Sequence, residues 1–367
     1  MVTAHLTRAN NKVKNMFKRW LVCGALALPA LSLAQAPAQN WSAQLEDLSG
    51  GNAKVISYSP QDKASKPWKI CALFPHMKDT IWLAMNYGIV EEARRQGAAV
   101  TIYQAGGYEN LPKQLTQFDD CMASNFDALI VGAISEAGLT RKFREAEKAG
   151  KPVIAVLNPV DKAPTTSKVF ANNVIMGEQT GEYLAKAAGD KPSKIVALPG
   201  PAGSGWAEQF AEGLKNVVKK SDKLELLDEK FGDTGVAVQL GLVQNSLQAY
   251  PDVNVLWGNA TMIEAAIGAV QEAGRDDVKL IAAYENQAML EALRSGQILG
   301  FATQYPVLQG RLSVDLAIRA LEGQQVPAFL SPIPRMVSKE SLADIDMNAV
   351  LAPSDYKAVY AVEASVK

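Results

Sequence analysis

Residues 68–88 read WKICALFPHMKDTIWLAMNYG, an apolar strand that breaks into a polar and aromatic turn and runs straight into an amphipathic helix. A strand this apolar is buried on both faces, which calls for helices above and below it and for parallel neighbours. The pattern repeats. AVTIYQ, DALIVG and KPVIAVL alternate with helical stretches, one of them over residues 111–125. After Asn172 the alternation starts again, with a helix over 174–189, SKIVALPG, a helix over 204–220, LELLDEKFG, VNVLWGNA and VKLIAAY. Two such runs in one chain predict an α/β fold of two Rossmann-like, doubly wound lobes joined by a multi-strand hinge, with a cleft between them.

The expected division puts residues 68–171 plus 285–303 in lobe 1 and residues 172–284 plus 304–335 in lobe 2. Residues 35–67 lack strong periodicity and read as an irregular extension anchored by Trp41; residues 336–367 form a tail with one short strand. Crossings between lobes are expected near 171–173, 284–286 and 303–306, where strand patterns end in polar or aromatic residues.

The start of the chain stands apart from this pattern. Lys12, Lys14, Lys18 and Arg19 precede LVCGALALPALSLA, an apolar run too short to span a bilayer and interrupted by Pro29. Residues 1–34 therefore read as a secretory signal peptide, which predicts a periplasmic protein with no direct membrane insertion once the leader is removed. Removal takes away Arg8, Lys12, Lys14, Lys18 and Arg19 and no acid, so the formal charge goes from −1 to −6. A mildly acidic exported protein is a poor nucleic-acid binder. Cys71 and Cys121 then share a compartment that permits disulfides and fall at the same edge of the first sheet. A bridge and a pair of buried thiols both fit that placement.

Open α/β sheets bind ligands at the carboxyl ends of their strands, so the turn after KICALF makes Pro75, Lys78, Asp79 and Trp82 the first candidates for a site. Asp79 has two readings, a counter-charge for a cationic ligand and a cap for the helix beginning at Thr80. Trp82 sits on the first helical turn, where a core-facing residue is normally aliphatic, and is expected to face the ligand. Catalysis finds little support: His76 is the one histidine left after the leader, and the chain has no HExxH, GxSxG or CxxC. No catalytic residue, metal site or cofactor is expected. The loop GPAGSG lacks the Lys and Ser/Thr of a phosphate-binding loop and reads as a plain strand-to-helix turn.

The run WKICALFPHMKDTIWLAMNYG, followed by EEARRQG, QAGGY, MGEQTGEYL, ALPGPAGSG, EGL and QG, resembles the TorT-like family of periplasmic proteins that sense trimethylamine N-oxide (TMAO). That family lies within the ribose-binding, type I periplasmic binding protein superfamily. The resemblance implies closure of two lobes on a small ligand without catalysis, and contact with the periplasmic sensor domain of a TorS-type histidine kinase. A site for TMAO needs aromatic faces around the methyl groups and a donor for the oxygen. Trp82 and Tyr108 from the first lobe, Tyr284 and Tyr305 at expected crossings, and Trp206 and Trp257 from the second lobe are the candidate walls. Where the family is expected to carry a Pro-Trp pair before MG, this chain has Asn172 and Asn173 ahead of VIMG. Asparagine there also suits a hydroxylated or amide-bearing ligand. The rival reading is a binding protein that delivers a sugar or other polar metabolite to an ABC importer.

Overall fold

The computed structural model describes residues 40–189 and 192–365; the expected leader lies outside them. The first strands are β1 (Ala43–Asp47) and β2 (Lys54–Tyr58), then β3 (Lys69–Phe74), α1 (Ile81–Gln96), β4 (Ala99–Gln104), α2 (Leu111–Ala123), β5 (Ala128–Val131), α3 (Glu136–Lys148), β6 (Val153–Val156) and β7 (Ser167–Val169). There follow α4 (Asn173–Ala187), β8 (Ser193–Leu198), α5 (Trp206–Val218), β9 (Leu224–Glu229), α6 (Val236–Ala249), β10 (Val255–Gly258), α7 (Ala260–Glu272), β11 (Lys279–Ala282), α8 (Gln287–Ser295) and β12 (Phe301–Thr303). The chain ends with α9 (Pro306–Leu321), β13 (Phe329–Pro332), β14 (Arg335–Val337), α10 (Met347–Val350) and β15 (Ala361–Val362). None of the described helices is long and apolar enough to cross a membrane.

The strands form two sheets, β15-β4-β3-β5-β6-β7-β13-β1-β2 and β14-β12-β11-β10-β8-β9. Each contains the same parallel core, β4-β3-β5-β6-β7 in the first and β9-β8-β10-β11-β12 in the second, in the doubly wound order that puts its switch point beside the leading strand. The apolar runs explain this: ALIV of β5, VIAV of β6 and VLWG of β10 are buried along their whole length, because helices cover both faces.

One pair of helices in each lobe is drawn together by glycine. A Cβ on Gly88 of α1 would lie 2.1 Å from the Val307 carbonyl oxygen of α9, and one on Gly213 of α5 would lie 2.1 Å from the Val174 oxygen of α4. Only glycine permits such contact, and it fixes the N-terminal ends of α1, α4 and α5 at the cleft.

The lobe boundaries differ from the expected ones. β12 pairs with β11 and α8 is the crossover helix between them, so residues 285–303 belong to the second lobe, and 284–286 is not a crossing. Residues 306–321 form α9, which packs on α1, and β13 pairs with β7 and β1, so most of 304–335 belongs to the first lobe. The chain does change lobe between β7 and α4 and between β12 and α9, and again between β13 and β14. The extension is not irregular: β1 and β2 form an antiparallel hairpin that adds to β13. Trp41 ties it down, stacking on Tyr58 at 5.9 Å and donating its indole N–H to Glu92 at 2.8 Å. In the tail, β14 and β15 join different sheets.

Cys71 of β3 and Cys121 of α2 are joined in a disulfide between Cα atoms 6.1 Å apart, inside the usual range for a bridge. Both are fully buried beside Leu73, Phe118 and Phe143. The bridge closes a loop of 50 residues, for which the chain-entropy estimate is about 4 kcal/mol. The double variant Cys71→Ala/Cys121→Ala is expected to lower the unliganded melting temperature by roughly 5–10 °C. An unchanged melting temperature in a calorimetric scan would show that the cysteines do not pair in solution.

Candidate functional site

The carboxyl ends of both sheets face each other across the cleft, and the side chains that meet there come from strand-end turns and from the first turns of the helices that follow. Asp79 closes the turn after β3. The N-cap of α1 is Thr80, one residue on, and Asp79 Oδ1 accepts the Ile81 N–H, the first amide of the helix, at 3.1 Å, so its place at the helix end and a counter-charge role are compatible. From the second lobe, Asn286 Nδ2 donates to the same oxygen at 3.1 Å and the Tyr284 hydroxyl donates to Oδ2 at 2.7 Å. Asp79 is 2 % exposed, so a carboxylate sits at the meeting of the lobes with its hydrogen bonds supplied from both. Burial and the neighbouring Asp79 charge hold the Tyr284 hydroxyl well above its usual pKa, in the protonated form that donates.

Around this carboxylate stand aromatic faces. Trp82 lies 5.0 Å from Phe74 and 6.3 Å from His76, its indole packed over Gly132, where any Cβ would strike the ring at 2.4 Å. Trp206, the first residue of α5, lies in the same way over Gly200, also at 2.4 Å. It meets Tyr284 edge-on at 5.8 Å, while Phe210, one helical turn on, stacks against Tyr284 at 5.9 Å. The indole N–H of Trp206 donates to the Tyr108 hydroxyl at 2.9 Å, across the cleft. Tyr108 is presented by the Gly106-Gly107 turn, whose two N–H groups are held by the Pro75 carbonyl at 2.8 and 3.1 Å.

Two more contacts span the lobes. The Thr234 hydroxyl and His76 Nε2 are 2.9 Å apart. Burial drives the His76 pKa down to about 4, so the ring is neutral near pH 7. At the rim, Lys78 reaches Glu109 and, across the cleft, Asp233, each at 3.6 Å. Lys78 is largely solvated and contributes little.

The cavity enclosed by these residues measures about 20 Å³, on a scale where one water needs roughly 10–15 Å³. Asp79, Trp82, Tyr108, Asn173, Trp206 and Tyr284 all line it. Among its described lining residues, Asp79 is the one acid, and there is no lysine or arginine. The lining thus sets one carboxylate among ring faces, a combination that attracts a positive centre; with room for no more than one or two waters, the cleft has to open to admit a ligand.

The structure does not bring Lys78 or Tyr305 to the cavity. Lys78 lies at the rim, largely solvated, beside Glu109 and Asp233. Tyr305 sits at the hinge as the N-cap of α9, with φ 57° and its N–H donated to Glu285 at 3.2 Å. Trp257 is core, its indole N–H given to Thr180 at 2.9 Å. Conversely, Asn158, Phe210, Thr234 and Gln304 line the cavity without having been singled out. Asn158 follows the KPVIAVL strand, so the strand-end rule that found Asp79 applied to it equally.

Comparison with known proteins agrees with this fold. The family described as periplasmic binding protein domain matches residues 70–325. The chain is similar to the periplasmic protein TorT of Escherichia coli K12, with 33% identity over 309 residues, covering 83% of this chain and 88% of the relative. A crystal structure of an ABC transporter solute binding protein from Bradyrhizobium sp. BTAi1 with bound Bis-Tris superposes with a TM-score of 0.73 at 37% identity, covering 89% of this chain and 98% of that one. Crystal structures of the TorS sensor domain–TorT complex, in the absence of ligand and in the presence of TMAO, superpose with TM-scores of 0.72 at 29% identity, covering 80% of this chain and 99% of that one.

The depressed pKa of His76 has a consequence for stability. From pH 6.5 down to about 4 the unfolded chain takes up a proton that the folded, buried ring refuses, so stability falls across this window. The loss amounts to about 3 kcal/mol once the pH is below 4. Glu285, pushed up to about 8 by burial, acts in the opposite direction as pH falls from 8 to 4.5. The comparison with His76→Asn cancels that contribution. The gap in melting temperature between the wild type and His76→Asn is expected to narrow between pH 7 and pH 4; a constant or widening gap would contradict the buried neutral ring.

Proposed function

The chain belongs to the periplasmic binding protein family and within it to the TorT-like proteins, and we propose that it is a periplasmic receptor that closes on TMAO or a related small methylated amine and reports its occupancy to the sensor domain of a membrane histidine kinase. It is a binding protein, not an enzyme. The observation that carries the choice of ligand is the buried Asp79 carboxylate inside a box of Trp82, Tyr108, Trp206 and Tyr284, with no lysine or arginine in the described lining. Ring faces attract a methylated cationic nitrogen by about 0.5–2 kcal/mol each. A ligand held between the lobes favours their closed arrangement, because it touches both halves only there.

Support for the partner comes from the relatives. A TorT relative is crystallised with the TorS sensor domain both without ligand and with TMAO, and the same docking is proposed for this chain. The signal-peptide reading of residues 1–34 and the periplasmic relatives support export to the same compartment. Bis-Tris, held by the Bradyrhizobium relative, is itself a tertiary amine. That relative's description as an ABC transporter solute binding protein favours a second reading, delivery of a polar solute to an importer. Both readings use the same clamshell and differ in what the closed form meets.

Titration calorimetry on the mature protein tests the ligand. TMAO is expected to bind with 1:1 stoichiometry, and Asp79→Asn, which keeps an acceptor for the Ile81 and Asn286 N–H groups and turns its Nδ2 to the Tyr284 oxygen, is expected to weaken binding roughly 10–100-fold through loss of charge. Equal affinity in the variant would remove the carboxylate from the account. Co-elution of the protein with a TorS-type sensor domain on gel filtration supports signalling; co-elution with an importer permease instead would favour transport.

A further inference from the structure

The hydrogen-bond pattern inside the cavity specifies more than a methylated cation. Asn158 is 3 % exposed. Its Nδ2 donates to the Ala133 carbonyl at 2.7 Å and to the Tyr108 hydroxyl at 2.9 Å. Because a main-chain carbonyl only accepts, the amide orientation is fixed and both N–H groups are used. The Asn158 amide oxygen then accepts nothing from the described residues. The Tyr108 oxygen receives two donors, Asn158 and the Trp206 indole, which can only donate. Its own proton is therefore left for something else in the cavity.

Two other lining amides have hydrogen-bonding capacity to spare. Gln304, 4 % exposed, has an amide oxygen with no partner, and its side-chain amide nitrogen donates to none of the described residues, so it can pair a ligand's donor or its acceptor. Asn173, 1 % exposed, donates to Gln209 at 3.1 Å, and its own oxygen accepts nothing from the described residues. An amide oxygen without a partner beside the cavity is a place for a ligand's donor, and a site built around such groups discriminates against ligands that cannot pair them.

Resting on the amine reading of the site, we infer that the ligand carries a hydrogen-bond donor, a hydroxyl or an N–H, together with an acceptor oxygen, and is a hydroxylated or N–H-bearing ammonium compound rather than a fully methylated N-oxide. TMAO offers an oxygen to the Tyr108 hydroxyl and no donor to Asn158 or Asn173. A hydroxylated ammonium gives a positive centre to Asp79 and the rings, accepts from Tyr108 through its oxygen, and donates its proton to Asn158.

Choline and its methyl ether isolate this point, since they share the same cation and the same oxygen and differ in the donor. Calorimetric titration of the mature wild-type protein with choline, choline methyl ether, TMAO and ribose is expected to show choline binding at least about tenfold more tightly than either the ether or TMAO. In Asn158→Ala the choline-to-ether ratio is expected to fall below about threefold. The wild-type comparison decides the matter should that variant fail to melt cooperatively. Ether or TMAO binding as tightly as choline overturns the inference and leaves the receptor reading intact. Binding of ribose with none of the three amines, or no binding of any, overturns the amine reading and this inference with it.

Discussion

A carboxylate removed from water between two lobes is the constraint around which this structure is arranged. Asp79 has its oxygens occupied by the N–H of its own helix, by the Tyr284 hydroxyl and by the Asn286 amide. The last two belong to the other lobe, so the hydrogen-bond shell of Asp79 is complete only when the cleft is shut. An ionised group buried without such partners would cost several kcal/mol. The same residues that satisfy Asp79 place it among ring faces, and the Trp206–Tyr108 and Thr234–His76 contacts join the lobes on either side of it.

This arrangement depends in turn on where helix ends are delivered. Gly88 brings α9 against α1 and Gly213 brings α4 against α5, so the ends that carry Asp79, Asn173 and Trp206 have little freedom to shift. Gly132 and Gly200 then clear the floor on which the two indoles lie. The pseudo-repeat of the chain thus yields a site with matching walls, one tryptophan on a glycine from each lobe, while the charge comes from the first lobe alone. Asn173, at the position where the family resemblance leads one to expect an aromatic wall, is turned to Gln209, and Trp206 supplies the second lobe's indole.

Much of this was legible in the sequence, for identifiable reasons. Parallel strands buried on both faces leave uninterrupted apolar runs, so the doubled α/β architecture was plain from KICALF onward. Asp79, Trp82 and Tyr108 were reachable because they follow strand ends directly. What escaped depends on long-range pairing. The β1–β2 hairpin is built from short, partly polar strands whose partner, β13, lies far along the chain. The exchange of residues 285–303 and 304–335 between lobes arose because both segments have the same strand and helix character, and only pairing with β11 or packing on α1 tells them apart. Asn158 was within reach of the same strand-end rule, whereas Thr234 lies well past the end of its strand, in a turn with no feature that separates a cavity-lining polar residue from an ordinary one. The disulfide required the Cα separation, which no sequence spacing supplies.

The most direct test is a crystal structure of the mature protein grown with an ammonium ligand. The account predicts one molecule between the lobes, its positive nitrogen within about 6 Å of the ring centres of Trp82 and Trp206 and facing the Asp79 carboxylate. A ligand bound outside the cleft, or a cleft in which Asp79 turns away from the bound nitrogen, would contradict it.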